Sequence, residues 1–216
     1  MSAFVRGLFN NVLSHFFQSV PKQSYTFEAD DIDCRHQIRL KKTDSAFVHC
    51  HRLPDRFEAF FVPSSSGNQI ACLMIRAVEK GQSAKFTLLF SHGGTVDLGH
   101  LCNFLFSLGG RLGCNIFIYD YSGFGQSSGT PTERAVYADA ETAFRLLISK
   151  YHLSEERIVL YGQSLGTAPS LHLASKFPVA GLILHSPFLS AARLYFPKMH
   201  RSSESASCRF YDFFKK

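Results

Sequence analysis

No apolar run among the 216 residues approaches the roughly 18 that would span a bilayer, and no stretch has the composition of a disordered tail. Charge is sparse: Asp, Glu, Lys and Arg together make up 19%. The net charge of +6 is scattered in short pairs such as Lys41-Lys42 and Lys215-Lys216. A nucleic-acid partner calls for longer basic blocks, so none is expected; the surplus suits a weak attraction to an anionic membrane face. Cysteine is thin as well. Cys34, Cys50, Cys72, Cys102, Cys114 and Cys208 are widely spaced and several lie inside apolar segments, which is how reduced thiols pack as small hydrophobes in a cytosolic compartment. His49-Cys50-His51, with Cys34 and His36 upstream, matches none of the usual zinc spacings, so no metal site is expected.

What is present is a hydrophobic content of 45%, enough for one globular domain that buries roughly 70% of its unfolded surface. Residues 4–17 place Phe4, Val5, Leu8, Phe9, Val12, Leu13, Phe16 and Phe17 on one helical face. Polar residues interrupt this segment too often for a signal peptide, so residues 1–20 are expected to form an amphipathic helix. That helix either packs on the domain or lies in a membrane interface. Residues 21–55 lack a sustained period and are expected to connect, with one or two short strands and no legible function. From Arg56 the pattern becomes regular, and residues 56–216 are expected to form the main domain.

Phe57–Val62 and Ile70–Val78 suggest a hairpin around Pro63–Asn68. Three short apolar runs then have the character of strands buried on both faces: Phe86–Phe90, Asn115–Tyr119 and Ile158–Tyr161. A helix over Leu98–Leu108 separates the first two. The next is announced by Thr130-Pro131-Thr132-Glu133, a capping box with proline at the first helical position. Its face of Val136, Ala140, Phe144, Leu147 and Tyr151 recurs as packing on a sheet requires, and Ala180–Leu184 is a further strand. Such alternation implies an α/β fold with a parallel sheet covered on both sides.

Gly162-Gln163-Ser164-Leu165-Gly166 stands between a predicted strand and a predicted helix, the context of a nucleophile elbow. A serine hydroxyl is a poor nucleophile, so it must be held exposed on a tight turn where a base can reach it. By chance this pattern occurs in roughly one chain in fifteen of this length, so the placement carries the weight. Pro169 is tolerated near the helix start, where amides have no intrahelical partner. A second element, Phe90-Ser91-His92-Gly93-Gly94-Thr95, directly follows a buried strand. Acyl transfer needs donors aimed at the oxyanion, and the amides of Leu165 and Gly94 are the candidates. Gly123-Phe124-Gly125 resembles a dinucleotide fingerprint, but its sixth position is Ser128 and no acidic residue ends a strand at the right distance, so no cofactor is expected. Asp120 is expected to fix its loop by side-chain to backbone hydrogen bonds.

Taken together, Phe90-Ser91-His92-Gly93, Val96-Asp97-Leu98-Gly99, Asn115-Ile116-Phe117, Tyr119-Asp120-Tyr121-Ser122-Gly123, Tyr161-Gly162-Gln163-Ser164 and His185-Ser186-Pro187 form an ordered set. From about Arg56 to Phe214 the chain resembles the α/β-hydrolase domain-containing protein 17 family, membrane-associated serine hydrolases that remove palmitoyl groups from protein cysteines. The resemblance implies an α/β-hydrolase fold, with Ser164 attacking a thioester carbonyl to form an acyl-enzyme that water releases. It implies S-acylated proteins as substrates and peripheral attachment at the cytosolic face of plasma or endosomal membranes. His92, Gly93, Gly162, Gln163, Gly166 and Asp120 would support the site. Family members carry a cluster of palmitoylated cysteines near the N-terminus, whereas here the first cysteine is Cys34.

In this fold the triad runs serine, acid, histidine along the chain, and the family places the last two after two further strands. Only His172, His185 and His200 follow Ser164, with Glu204 and Asp212 as late carboxylates. His172 belongs to a helix, and His185 stands where relatives have a noncatalytic histidine. The domain is therefore expected to be C-terminally incomplete, lacking strands and a helix, and inactive by itself because acid and histidine are missing. Ala180–Leu184 would then be an unpaired sheet edge. Two other functions remain open: a noncatalytic binding protein of the same fold, and a hydrolase of lipid or small esters using the same serine.

Overall fold

The computed structural model describes residues 20–29, 36–40, 54–77 and 84–188. The expected amphipathic helix over residues 4–17, the group at Cys34 and His49–His51, and the tail residues His200, Glu204 and Asp212 lie outside the described residues.

The strands are β1 (Tyr25–Ala29), β2 (His36–Leu40), β3 (Phe57–Pro63), β4 (Gln69–Ile75), β5 (Thr87–Ser91), β6 (Asn115–Tyr119), β7 (Ile158–Gln163) and β8 (Gly181–His185). The helices are α1 (Leu98–Leu112), α2 (Glu133–Ser149) and α3 (Thr167–Ala174). All the strands join one sheet in the order β1-β2-β3-β4-β6-β5-β7-β8. Pairing is antiparallel from β1 through β4 to β6, then parallel across β6, β5, β7 and β8. The parallel half carries the helices, because each parallel connection must cross a face of the sheet. Residues 21–55, expected to connect with one or two short strands, contribute β1 and β2 to the sheet.

Successive residues of a strand point to opposite faces, and here they feed two cores. Ile70, Cys72, Met74, Leu89, Phe117 and Leu160 pack with Val136, Ala140, Phe144 and Leu147 of α2 and Leu173 of α3. Ala71, Leu73, Ile75, Leu88, Phe90, Ile116 and Ile118 pack with Leu98, Cys102 and Leu105 of α1. β5 is buried at every position, as its uninterrupted apolar run required. The described cysteines Cys72, Cys102 and Cys114 are buried free thiols. Among the described residues β8 pairs with β7 alone, and Ile183 is 44% exposed. No helix of the described residues is long and apolar enough to cross a membrane.

Local signals set the helix ends. The Asp97 side chain accepts from the His100 amide at the start of α1, and Gly113 closes it with φ 62°, the left-handed conformation that a glycine adopts at no cost. The α2 start differs from the expectation: the cap is Thr132, whose hydroxyl accepts from the Ala135 amide, so the expected capping box from Thr130 is not formed. Pro131 stays in the extended approach because it packs against the Cβ-less face of Gly123, where an added methyl would lie 2.9 Å from its nitrogen.

Candidate active site

After β5 the chain turns to β6 on one side, and it later returns to β7 on the other, so the loops leaving β5 and β7 part at a switch point. In open α/β sheets ligands bind in the crevice outside such strand ends. Ser91 is in register with Gly162, which delivers His92-Gly93-Gly94 and Gln163-Ser164-Leu165 side by side at that crevice.

Ser164 opens a single 3-10 turn that leads into α3. Its φ is 50°, a left-handed backbone that costs a non-glycine residue roughly 1–2 kcal/mol, and its side chain is exposed. The turn is held below by the Thr167 hydroxyl, which donates to the Ser164 carbonyl at 2.6 Å. Two glycines make the turn possible by leaving out side chains. A methyl on Gly162 would overlap the Gly166 carbonyl and lie 2.7 Å from Thr167 Cα. One on Gly166 would overlap the Ser91 carbonyl and lie 2.9 Å from the His92 oxygen. Gly166 therefore seats the elbow directly on the loop leaving β5. On the other side, a methyl on Gly93 would stand 3.7 Å from Ser164 Cβ, so this loop faces the serine with room for about one methyl group between them.

His92 is fully buried and turns away from the crevice. Its Nδ1 donates to the Gly93 carbonyl at 2.8 Å, since a carbonyl can only accept. Its ring sits against Tyr121 and Phe124, and its carbonyl accepts from the Tyr121 hydroxyl at 2.9 Å. His92 Nε2 lies 3.2 Å from Asp120 Oδ1 without the alignment of a hydrogen bond. Asp120 bonds to backbone as expected, but to a neighbouring loop: its Oδ1 accepts from the Leu98 amide at 2.8 Å, while Oδ2 accepts from the Tyr25 hydroxyl at 2.6 Å. Burial pushes the Asp120 carboxyl upward, because a charged carboxylate is poorly solvated there.

Sequence reasoning missed three residues here. Tyr25 lies in the aperiodic stretch and carried no signal. Asp97 was quoted only within a motif, although Asp before an apolar helix is a capping signal. Asp139 on α2 is fully buried and accepts from Ser64 Oγ at 2.5 Å, Ser66 Oγ at 3.1 Å and the Ser122 amide at 2.7 Å. It ties the β3–β4 turn and the loop after β6 to the same end of the sheet.

The two described histidines that follow Ser164 are engaged elsewhere. His172 Nε2 bonds Glu141 Oε1 at 2.7 Å and its ring stacks on Tyr137. His185 Nδ1 meets the Tyr161 hydroxyl at 3.1 Å. Among the described residues no hydrogen bond reaches the Ser164 hydroxyl, and no group of three His, Cys, Asp or Glu side chains is placed to hold a metal ion. The arrangement offers an exposed hydroxyl on a strained turn, backed by amides at a helix start and in a glycine loop.

Residues 82–211 match the family model described as "Serine aminopeptidase, S33". The chain is 44% identical over 177 residues to alpha/beta hydrolase domain-containing protein 17B of Homo sapiens, covering 82% of this chain and 60% of that protein. It is 47% identical over 148 residues to protein 17C of Mus musculus, covering 68% of this chain and 45% of the relative. It therefore spans about 60% or less of the length of these relatives. Among solved structures, an alpha-beta hydrolase from Vibrio vulnificus aligns with a TM-score of 0.63 at 16% identity, over 96% of this chain and 66% of that one. An esterase of Pyrococcus furiosus aligns with a TM-score of 0.56 at 16% identity, over 76% of this chain and 63% of its own. With the elbow, the glycine loop and the sheet order in agreement with these likenesses, the chain belongs to the α/β-hydrolase family and, within it, to the alpha/beta hydrolase domain-containing protein 17 group.

Proposed function

We propose that Ser164 is the nucleophile of a serine hydrolase that cleaves the thioester of S-acylated protein cysteines, palmitoylated ones foremost. The observation that carries this reading is the left-handed Ser164 at the β7–α3 turn, its side chain exposed beside the Cβ-less face of Gly93. Its oxygen attacks the acyl carbonyl, its proton passes to a base, and the cysteine thiolate leaves. Water then cleaves the serine ester and releases the fatty acid. The amides of Leu165 and Gly94 hold the oxyanion of both tetrahedral intermediates. His92, Gly93, Gly162, Gln163, Gly166 and Asp120 shape the turn and the loop. Among the described residues, the two histidines that follow Ser164 are bonded elsewhere, His172 to Glu141 and His185 to Tyr161. Acylated substrates place the protein at the cytosolic face of plasma or endosomal membranes, attached peripherally.

Prolonged incubation of this chain with long-chain and short-chain alkyl fluorophosphonates, followed by peptide mass mapping, tests the proposal. The expected result is a slow adduct on the peptide containing Ser164, faster with the long-chain probe and absent in Ser164→Ala. Absence of any Ser164 adduct on folded protein would overturn it and favour a noncatalytic binding protein, consistent with a Ser164 hydroxyl that bonds no other described residue. Preference for the short probe would favour a small-ester hydrolase.

A further inference from the structure

The site is braced by residues nearly a hundred positions upstream. Tyr25, at the start of β1, is fully buried and both of its hydrogen-bonding roles are used. Its hydroxyl donates to Asp120 Oδ2 at 2.6 Å and accepts from the Gln126 amide at 3.2 Å. The preceding residue reaches the end of a different loop, the one leaving β5: the Ser24 amide donates to Asp97 Oδ2 at 2.8 Å, and the Ser24 hydroxyl also bonds Asp97. Asp97 caps α1, while Asp120 accepts from Leu98, the first residue of that helix. Two consecutive residues thus grip the segment where the loop leaving β5 ends.

The space for this bond is reserved. Gly125 has φ 51°, and a methyl there would overlap Asp120 Oδ2 and lie 2.8 Å from the Tyr25 hydroxyl. Burial, with the Asp120 charge second, pushes the Tyr25 phenol upward, so it remains an O–H donor. Without that donor, a fully buried carboxylate would keep the Leu98 amide and the misaligned His92 ring as its side-chain partners, and an under-satisfied buried charge relaxes by moving or by taking up a proton. Either response slackens the segment from His92 to Leu98.

We infer that Tyr25 is a positioning residue: its hydroxyl fixes the Asp120 carboxylate, and Asp120 holds the loop from His92 to Leu98 at the distance from Ser164 that oxyanion binding requires. The inference rests on the proposed roles of Ser164 and Gly94. Oxyanion donors must be placed to a fraction of an ångström, so a slack loop loses rate before it loses fold.

Tyr25→Phe removes one oxygen and keeps the ring against Phe27, 5.1 Å away between centroids. Two measurements on the 216-residue chain decide. The first is hydrogen exchange by mass spectrometry, where peptides covering residues 92–98 are expected to exchange several-fold faster in Tyr25→Phe, with peptides from α2 unchanged. The second is labelling of Ser164 by a long-chain fluorophosphonate, expected to slow by roughly tenfold. Combining Tyr25→Phe with Asp120→Asn should label no more slowly than Asp120→Asn alone, because the tyrosine acts through the carboxylate. Unchanged exchange at residues 92–98, or fully additive losses in the double variant, overturns the inference. If the parent chain carries no Ser164 adduct, the nucleophile assignment fails, and the exchange measurement still decides the role of Tyr25.

Discussion

Replacing Gly166 by alanine puts the construction of the elbow to a quantitative test. The φ of Gly166 is −65°, so alanine is free of backbone strain there and gains roughly 0.5–1 kcal/mol from the smaller freedom of its unfolded chain. Against this, the methyl would overlap the Ser91 carbonyl and stand 2.9 Å from the His92 oxygen. Both obstacles are backbone atoms, and Ser91 is locked in register with Gly162, so neither can rotate out of the way. Overpacking of a well-filled core costs about 1–3 kcal/mol, and a collision with two fixed carbonyls belongs at the upper end, leaving a net loss near 2 kcal/mol. For a domain of this size that lowers Tm by roughly 4–8 °C in thermal denaturation followed by circular dichroism. Gly110→Ala on α1 is the matched control: an added methyl meets nothing within 4 Å, so the same exchange should raise Tm by about 1–4 °C. A Gly166→Ala protein that melts at or above the parent temperature would refute the packing of the elbow on the β5 loop, and the oxyanion geometry with it.

Relief of backbone strain gives a second outcome: Ser164→Gly removes a left-handed serine, φ 50°, and should raise Tm by roughly 1–3 °C, whereas a lower Tm would show that the turn is unstrained. Glu58 tests electrostatics away from the site. Burial alone would raise its carboxyl, but Lys150 at 2.7 Å and Arg76 at 3.0 Å outweigh it and bring it below the ordinary value of 4.5. A depressed carboxyl stabilises the fold above its unfolded value and loses that contribution as pH falls through the folded one. Glu58→Gln should therefore cost about 0.5–1 kcal/mol in urea denaturation at pH 7, a figure kept small because both cations are 39% exposed, and cost less as pH falls below the ordinary carboxyl range. An equal cost above and below that range would assign the loss to packing instead.

The parts of the site that were legible share one property: their chemistry is written in neighbouring residues. The elbow was readable because strand, glycine, serine, glycine and helix follow one another, and the turn they form is a local steric solution. β5, β6 and β7 were readable because strands covered on both faces need unbroken apolar runs. The cap of α2 was misplaced by two residues because Pro131 answers to Gly123, a contact that its neighbours do not reveal. The base remains unassigned because a triad is assembled across the chain, and the described histidines after Ser164 bond Glu141 and Tyr161 instead.

By itself, then, the order of residues determined the class of fold, the serine and the two loops that flank it, since local sterics and hydrophobic period act over a few residues. Only the tertiary structure decided that residues 24 and 25 bond Asp97 and Asp120. Their hydrogen bonds close across 73 and 95 positions of chain, and in the sheet order β1 stands four places from β6, so these contacts come from the overall path of the chain and not from strand pairing. No periodicity encodes such a contact, because what selects it is a buried carboxylate's need for a donor at the place where folding leaves it.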